Sequence, residues 1–421
     1  MAEYTLIHGA RQLLTLRGPS GPRRGPALRD LGIIPDGDVL LRDGVIHAVG
    51  PGRQIQNLGI ARNAREIDAS GRVVMPAFVD LEAALVHAHP SPRSFEKLLE
   101  NHGNPDPEVF RDVLAEGAKG LRGLSSQSLR PRTAVVCDGI ARHGTGTVEA
   151  RAGYPLDDTA ALKVLRVQSD LSNENLNVVS TLLVAPRPGD EPVQWVQYVC
   201  EDLLPTVRKR RLAAFADIEY DAEVLPVPLV YRILETASSL GYGVKVHTGF
   251  FSRTSAASLA VRAGVLTVSD LHQLAEDQID ALGASHVIAI LKPGLALQAG
   301  DRYLAPARKL VDAGAAVAIS SGYHPEFSPG YNLQLSLMLA TRFYPLRPEE
   351  AINAATINAA HAIRAAASVG SIESGKQADL LIMDASDYRE LVFYGGVNAV
   401  RTVIRCGKVV YKSGAKTLLS T

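Results

Sequence analysis

Through the middle of this 421-residue chain, short apolar segments alternate with segments of helical periodicity, and this alternation restricts the fold more than any other feature. The apolar segments, interpreted as strands, are residues 75–81, 145–150, 177–184, 214–219, 244–249, 266–271, 286–292 and 315–321. The helical segments are residues 191–210, 226–240, 255–263, 275–284, 304–313, 332–342 and 348–366. Strands that alternate with helices favour a parallel sheet, and eight such segments are enough to close it into a barrel. The sequence therefore predicts an α/β protein with a distorted (β/α)8 TIM barrel.

The two ends of the chain have a pattern typical of an antiparallel sheet instead. Residues 38–41 and 45–49 flank Asp43-Gly44, a dipeptide that favours a hairpin turn. Residues 378–384 and 403–411 are predicted strands near the other end. We expect both ends to combine into a small composite β-sandwich domain. The predicted boundaries are residues 1–74 and 367–421 for the two parts of this domain, and residues 75–366 for the barrel.

One segment inside the predicted barrel is ambiguous. Residues 133–137 are rich in valine and threonine, which favour strands. A strand there would interrupt the alternation of strands and helices, so we predict that these residues lie in a helix.

Charge and cysteine content exclude several classes of protein. Lys and Arg together number 44, as do Asp and Glu, so the formal net charge is zero and no nucleic-acid or anionic membrane partner is indicated. Three widely spaced cysteines argue against a disulfide framework and fit a reducing compartment. The N-terminus lacks a signal-peptide pattern, and no apolar run is long enough to cross a bilayer. These features predict a cytoplasmic protein.

Several segments, taken in order, resemble the imidazolonepropionase family of the amidohydrolase superfamily. They are residues 10–18, 147–149, 153–154, 200–205, 306–314, 356–360 and 370–380. The last segment contains Gly375-Lys376-Gln377-Ala378-Asp379-Leu380, a signature that many amidohydrolases share. The resemblance covers nearly the whole chain. It implies a homodimer that hydrolyses a C–N bond of a cyclic amide in histidine breakdown, with one bound zinc or iron ion.

At most of the positions that the resemblance assigns to metal binding, this sequence has other residues. The His-x-His pair of the first barrel strand falls on Glu82 and Ala84, and the histidine of the fifth strand falls on His247. The aspartate of the eighth strand falls on Gly322, and an acidic residue after the fifth strand falls on Phe250. Catalytic zinc sites usually have about three protein ligands. We therefore expect no metal cofactor and the loss of most of the family's chemistry.

Three functions remain open from these residues. The first is a pseudoenzyme that binds a small molecule. The second is a hydrolase of non-peptide C–N bonds with a rebuilt metal site, for which Glu82, His247 and His272 are the candidate two-His-one-carboxylate set. The third is a regulatory subunit that pairs with an active paralogue. A metal pair at His87 and His89 is a weaker alternative.

The carboxyl ends of the strands carry the site in barrel enzymes, so we expect a small-molecule pocket there. From the resemblance, the residues predicted to line it are Tyr154, His247, His272 and His324, with Arg93 as a substrate-binding residue near the rim. His272 and His324 are the candidate acid–base residues, because imidazole gains and loses protons near neutral pH. Ser320 and Ser321 form a candidate nucleophile pair without a supporting motif. Because Gly322 and Phe250 replace carboxylates, we expect a more positive pocket and a small anionic ligand.

Overall fold

The computed structural model describes residues 3–88, 92–100, 106–153, 156–171, 175–186, 189–249, 251–299 and 303–414. The strands among them are β1 (Tyr4–Leu14), β2 (Ile33–Arg42), β3 (Val45–Pro51), β4 (Arg65–Asp68), β5 (Val73–Pro76), β6 (Phe78–Ala83), β7 (Thr145–Gly153), β8 (Asn177–Val184), β9 (Phe215–Tyr220), β10 (Gly243–Thr248), β11 (Thr267–Ser269), β12 (Ile288–Leu291), β13 (Ala316–Ile319), β14 (Leu380–Met383), β15 (Val400–Arg405) and β16 (Lys408–Lys412).

The α-helices are α1 (Gly52–Gln56), α2 (Pro92–Leu99), α3 (Pro107–Gly123), α4 (Ser126–Arg142), α5 (Asp158–Ser169), α6 (Pro192–Tyr198), α7 (Leu204–Lys209), α8 (Val227–Ser239), α9 (Ala257–Ala263), α10 (Glu276–Ala284), α11 (Pro293–Ala299), α12 (Ala307–Asp312), α13 (Leu333–Phe343), α14 (Pro348–Ala354), α15 (Ile357–Ala362) and α16 (Glu390–Phe393). A π-helical turn at Val199–Leu203 joins α6 to α7. Within the described residues, no helix is both long and apolar enough to cross a membrane.

Strands from both chain ends form one mixed sheet, as predicted. Its order is β16-β15-β14-β5-β1-β2-β3, and β4 pairs with β1. The predicted hairpin is confirmed, because β2 and β3 are antiparallel neighbours on either side of Asp43-Gly44. A separate apolar core, which includes Leu13, Val39 and Ile382, holds this domain together. This core contains residues from both ends of the chain, so burial of its apolar surface holds the two ends together in one domain.

The second sheet is the predicted barrel. Its strands follow chain order from β6 to β13, and all neighbouring pairs are parallel. Amphipathic helices pack outside it; the predicted helix at 133–137 is confirmed, since it lies within α4. Sequence analysis missed α2, α3, α5 and α11. The fold class is therefore confirmed as a TIM barrel with a composite β domain.

The predicted strand at residues 75–81 is two strands in the structure. Met75 and Pro76 end β5 and pair with β14 of the mixed sheet, whereas Phe78 begins the barrel strand β6. Ala77 alone separates the two strands; its N–H donates to the carbonyl of Asp379, and the N–H of Phe78 donates to the carbonyl of Gly144. A continuous apolar run cannot reveal such a change of sheet, because both halves are equally buried.

Side chains bridge the seam between β6 and the segment after β13. Asp80 accepts hydrogen bonds from the N–H and Oγ of Ser321 at 2.8 and 2.6 Å. The hydroxyl of Ser320 donates to the carbonyl of Leu81 at 2.5 Å. Burial raises the pKa of Asp80 to about 6 despite the hydrogen bonds that it accepts. The two serines considered as a nucleophile pair are thus engaged in closing the barrel.

Candidate functional site

A cavity of about 650 Å³ opens at the carboxyl ends of the barrel strands. Its outer wall is apolar and includes Phe110, Leu114, Leu121, Leu183, Phe251 and Phe327. Its floor is charged, and the floor residues that line the cavity are Glu82, Arg151, Glu219, His247, Asp270 and Lys292. Asp217, which is buried against Arg151 and His247, completes the floor without lining the cavity. Helix α3 supplies much of the apolar wall; its first turn is capped by Asp106, which accepts from the N–H of Glu108 at 2.7 Å. The cavity has the size and position of a small-molecule site.

Arg151 joins two carboxylates in the floor. Glu82 lies in a register shift of β6 against β7 and has a φ of 57°, which turns its side chain into the barrel mouth. Its Oε1 is 2.6 Å from Nη2 of Arg151, and the same nitrogen contacts Oδ2 of Asp217. These contacts are ion pairs without hydrogen-bond alignment. All three side chains are buried or nearly so, so the arrangement depends on the balance of their charges.

Lys292 forms the second positive centre of the floor. Its Nζ lies 2.6 Å from Oδ1 of Asp270 and 3.2 Å from Oε2 of Glu82. Asp270 follows β11 with a φ of 59°, a left-handed conformation that residues other than glycine seldom adopt. Burial alone would lower the pKa of Lys292, but Asp270 and Glu82 raise it. The lysine is therefore a fixed positive charge between two carboxylates.

His247 ends this network on β10. Its Nδ1 is 2.9 Å from Oδ1 of Asp217, and its Nε2 is 3.4 Å from Oε2 of Glu219. Burial alone would lower the pKa of His247, but the charge of Asp217 and the hydrogen bonds to Asp217 and Glu219 raise it to about 9. Both ring nitrogens therefore carry protons at neutral pH and donate to carboxylates.

We expect the imidazolium form of His247 to persist to about pH 9, instead of about 6.5 in the unfolded chain. Because the folded-state pKa is raised, this stabilisation is complete below about pH 6.5 and is lost as pH rises through 9. The loss should be about 3 kcal/mol, since one pKa unit corresponds to about 1.4 kcal/mol. Nitrogen-15 NMR of the histidine rings, with urea unfolding at each pH, measures both quantities.

The control for this measurement is His286→Gln, since His286 is exposed and outside the network. His247→Gln should remove the ring signal that titrates near pH 9. It should also flatten the pH dependence of the free energy of unfolding between pH 6.5 and 9, whereas His286→Gln should change neither. A folded-state ring pKa near 6.5 for His247 would contradict the geometry described above.

A second layer of charge lies below the floor. Nζ of Lys245 is 2.6 Å from Oε1 of Glu149, and both side chains are fully buried. The hydroxyl of Thr181 donates to the same carboxylate oxygen at 2.5 Å. The ring of Phe215 lies beneath the ammonium group, 4.9 Å away at its centroid. This layer supports the floor and does not line the cavity.

The structure brings only part of the predicted pocket together. His247 lies in the floor, as expected, and His324 lies at the rim, stacked on Phe327 at 3.9 Å and paired with Glu326 at 2.9 Å. His272 instead lies in a separate space of about 20 Å³ beside Tyr303.

The remaining predicted positions contribute less. Arg93 is exposed on α2 and is not among the described residues of the cavity lining. Tyr154, Phe250 and His89 fall outside the residues that the structure describes. His87 is buried, and its charge acts on Glu326 near the rim.

Sequence analysis missed most of the floor. Arg151, Asp217, Glu219, Asp270 and Lys292 were not among the predicted site residues. A signal was present, because charged residues recur two positions apart: Asp217 and Glu219, and Lys245 and His247, within predicted strands, and Glu149 and Arg151 at the end of a predicted strand that the structure extends to Gly153. Residues two apart on a strand share one face. Charges of both signs at that spacing on successive barrel strands indicate an internal ion-pair network.

Residues 234–410 match the amidohydrolase family. The chain is 33% identical to the imidazolonepropionase of Solibacter usitatus, covering 99% of this chain and all of that protein. It is 34% identical to the imidazolonepropionase of Geobacillus kaustophilus, covering 97% and 98% of the two chains. The chain belongs to the imidazolonepropionase family. The fold is also that of E. coli guanine deaminase, with a TM-score of 0.70 at 13% identity over 98% of this chain and 99% of that one.

The family resemblance implies a bound zinc or iron ion, and the residues of this chain at the corresponding positions do not fit such an ion. Ala84 and Gly322 have no donor atoms. Glu82 is already paired with two cations, and both nitrogens of His247 face carboxylates. A Cβ added at Gly322 would lie 3.5 Å from Cβ of Lys292, so the lysine stem fills the space beside it.

The alternative metal set also fails this test of geometry. Across the described ranges, no group of three or more His, Cys, Asp or Glu side chains is arranged to hold a metal ion. Glu82 and His247 line the cavity, but His272 lies in the separate space beside Tyr303. The three residues expected to form a two-His-one-carboxylate site are therefore not brought together.

Proposed function

We propose that this member of the imidazolonepropionase family is a pseudoenzyme that binds a small organic molecule in the barrel mouth without a catalytic metal ion. The observation that carries the proposal is the floor of the cavity. Arg151 and Lys292 bring positive charge to the carboxylates of Glu82, Asp217 and Asp270, where a metal-dependent relative would use a divalent cation.

The chemistry of the floor supports binding more than hydrolysis. Metal-assisted hydrolysis needs a bound water whose pKa is lowered to about 7 and a group that accepts its proton. Lys292 is saturated by two carboxylates, and Gly322 has no side chain to accept a proton. The cavity is nonetheless large and open, with an apolar wall suited to a ligand.

The purified protein should contain less than about 0.1 equivalent of zinc, iron or manganese, because catalytic sites for these ions usually need about three protein ligands. Elemental analysis after growth in metal-supplemented medium measures this content. The matched control is an imidazolonepropionase that retains His-x-His on its first barrel strand, purified in parallel. One tightly held equivalent per chain, lost in Glu82→Ala, would show that the proposal is wrong.

A second candidate function is hydrolysis of a non-peptide C–N bond by a rebuilt site. The favouring observation is the chain from Asp217 through His247 to Glu219, which ends at the cavity. Such a hydrolase would turn over cyclic amides at a rate that His247→Gln abolishes. Absence of turnover with imidazolone propionate and related cyclic amides, in protein that still binds ligands, would leave the binding function standing.

A further inference from the structure

The cavity has two chemically different halves. In the outer half, the ring of Phe110 packs edge-on against Phe251 with centroids 5.1 Å apart. It also packs against Phe327 in a tilted arrangement with centroids 4.8 Å apart. These rings come from α3 and from the segments that follow β10 and β13, so three separate parts of the chain supply one aromatic surface. Aromatic side chains bind flat apolar groups through edge and face contacts. The outer half therefore fits a ring-sized apolar body.

Among the described residues that line the cavity, negatively charged side chains outnumber positively charged ones. Its described carboxylates are Glu82, Asp190, Glu219, Asp221, Asp270 and Glu326, and its described permanent cations are Arg111, Arg151 and Lys292. Even if His247 and His324 are both protonated, the carboxylates outnumber the positive side chains in this lining. The expectation of a positive pocket considered only the losses at Gly322 and Phe250. It did not include the carboxylates that other strands contribute.

Glu219 is the carboxylate of the floor best placed to meet a ligand. Its side chain is 29% exposed, compared with 1% for Glu82 and 10% for Asp270. In the described part of the chain, its contact is the single 3.4 Å approach to Nε2 of His247. Glu82 and Asp270, by comparison, each contact at least one permanent cation.

Asp221 extends this acidic side of the cavity. It follows β9 two residues after Glu219 and lines the same cavity. Its Oδ1 accepts from the N–H of Glu223 at 2.9 Å, which holds the side chain in place beside the cavity.

We propose that the ligand carries a positively charged nitrogen on a ring-sized apolar body, with Glu219 binding the charged nitrogen and the aromatic wall binding the body. This inference rests on the proposed binding function and specifies the class of ligand. An ammonium group beside Glu219 would form a charge-assisted hydrogen bond, which is stronger than a neutral one. The same carboxylate would repel an anion of equal size.

Three matched probes test the charge preference: 2-phenylethylamine, 2-phenylethanol and 3-phenylpropanoate. Isothermal titration of the full-length protein at pH 7 should give an affinity for the amine at least about tenfold higher than for the carboxylate, with the alcohol between them. Glu219→Gln should lower the affinity for the amine about tenfold and reduce the difference among the probes. Glu235→Gln, on the exposed face of α8, is the matched control and should change neither.

Several outcomes would overturn the inference. They are a higher affinity for the carboxylate, equal affinity for all three probes, no binding of any probe at millimolar concentration, or unchanged binding of the amine by Glu219→Gln. If Glu219→Gln does not fold, the order of affinities of the three probes for the unsubstituted protein still tests the charge preference. Added salt should then weaken binding of the amine. Metal content is measured separately, so a wrong charge preference is distinguishable from a wrong proposal about the metal.

Discussion

Arg151→Met is expected to lower the free energy of unfolding by about 3–5 kcal/mol, the usual loss when one partner of a buried ion pair is removed. Methionine has a similar length and fills the space, so loss of packing contributes little. The carboxylates of Glu82 and Asp217 would remain in the floor without the guanidinium that lies between them. Urea unfolding followed by the fluorescence of Trp195 measures the loss, because this single tryptophan is buried in the helical layer of the barrel.

Two further variants separate charge from packing at this position. Arg210→Met makes the same substitution at an exposed site and should change stability by less than about 0.5 kcal/mol. Arg151→Met combined with Asp217→Asn should recover part of the loss, since the amide oxygen can still accept from His247 while the unpaired charge is gone. A loss below about 1 kcal/mol for Arg151→Met alone would contradict the ion-pair network.

Lys245→Met is expected to cost about 3–5 kcal/mol as well, for a related reason one layer deeper. Its ammonium group is fully buried. Among the described residues, the partner carboxylate of Glu149 would keep as donors the hydroxyl of Thr181 and the more distant N–H of Glu82, 3.4 Å away. The double variant Lys245→Met with Glu149→Gln should be more stable than the single variant. The free energies of unfolding of Lys245→Met, Glu149→Gln and the double variant, measured by denaturant titration, give the coupling free energy between the two side chains.

The exposed Lys209→Met is the reference for this second series and should be close to neutral. If the double variant were as unstable as Lys245→Met alone, the loss would come from packing against Phe215. The charge of Glu149 would then have no measurable part in it.

Much of the architecture could be predicted because it depends on repeated local patterns. Apolar runs such as residues 177–184 are long enough to indicate strands without any knowledge of their neighbours. The composite domain was predictable because Asp43-Gly44 fixes a hairpin close to the beginning of the chain. The passage from β5 to β6 could not be predicted, since Met75 and Phe78 are equally apolar although they belong to different sheets.

The site was harder to predict because it depends on contacts across several strands. The loss of metal donors at Ala84 and Gly322 could be read directly from the residues. To predict that Lys292 lies between Glu82 and Asp270, one must know where β11 ends and how the chain turns after it. His272 was assigned to the pocket from the family resemblance, and the structure places it in a separate small space.

The single residue between β5 and β6 has a consequence for how the whole chain resists unfolding. Ala77 bonds to the end domain through Asp379, and its neighbour Phe78 bonds to the barrel through Gly144. A force that pulls on β6, the first barrel strand, therefore also acts on β5, which lies inside the other sheet between β14 and β1. The two halves of the molecule are coupled mechanically, and we expect them to open together rather than one after the other.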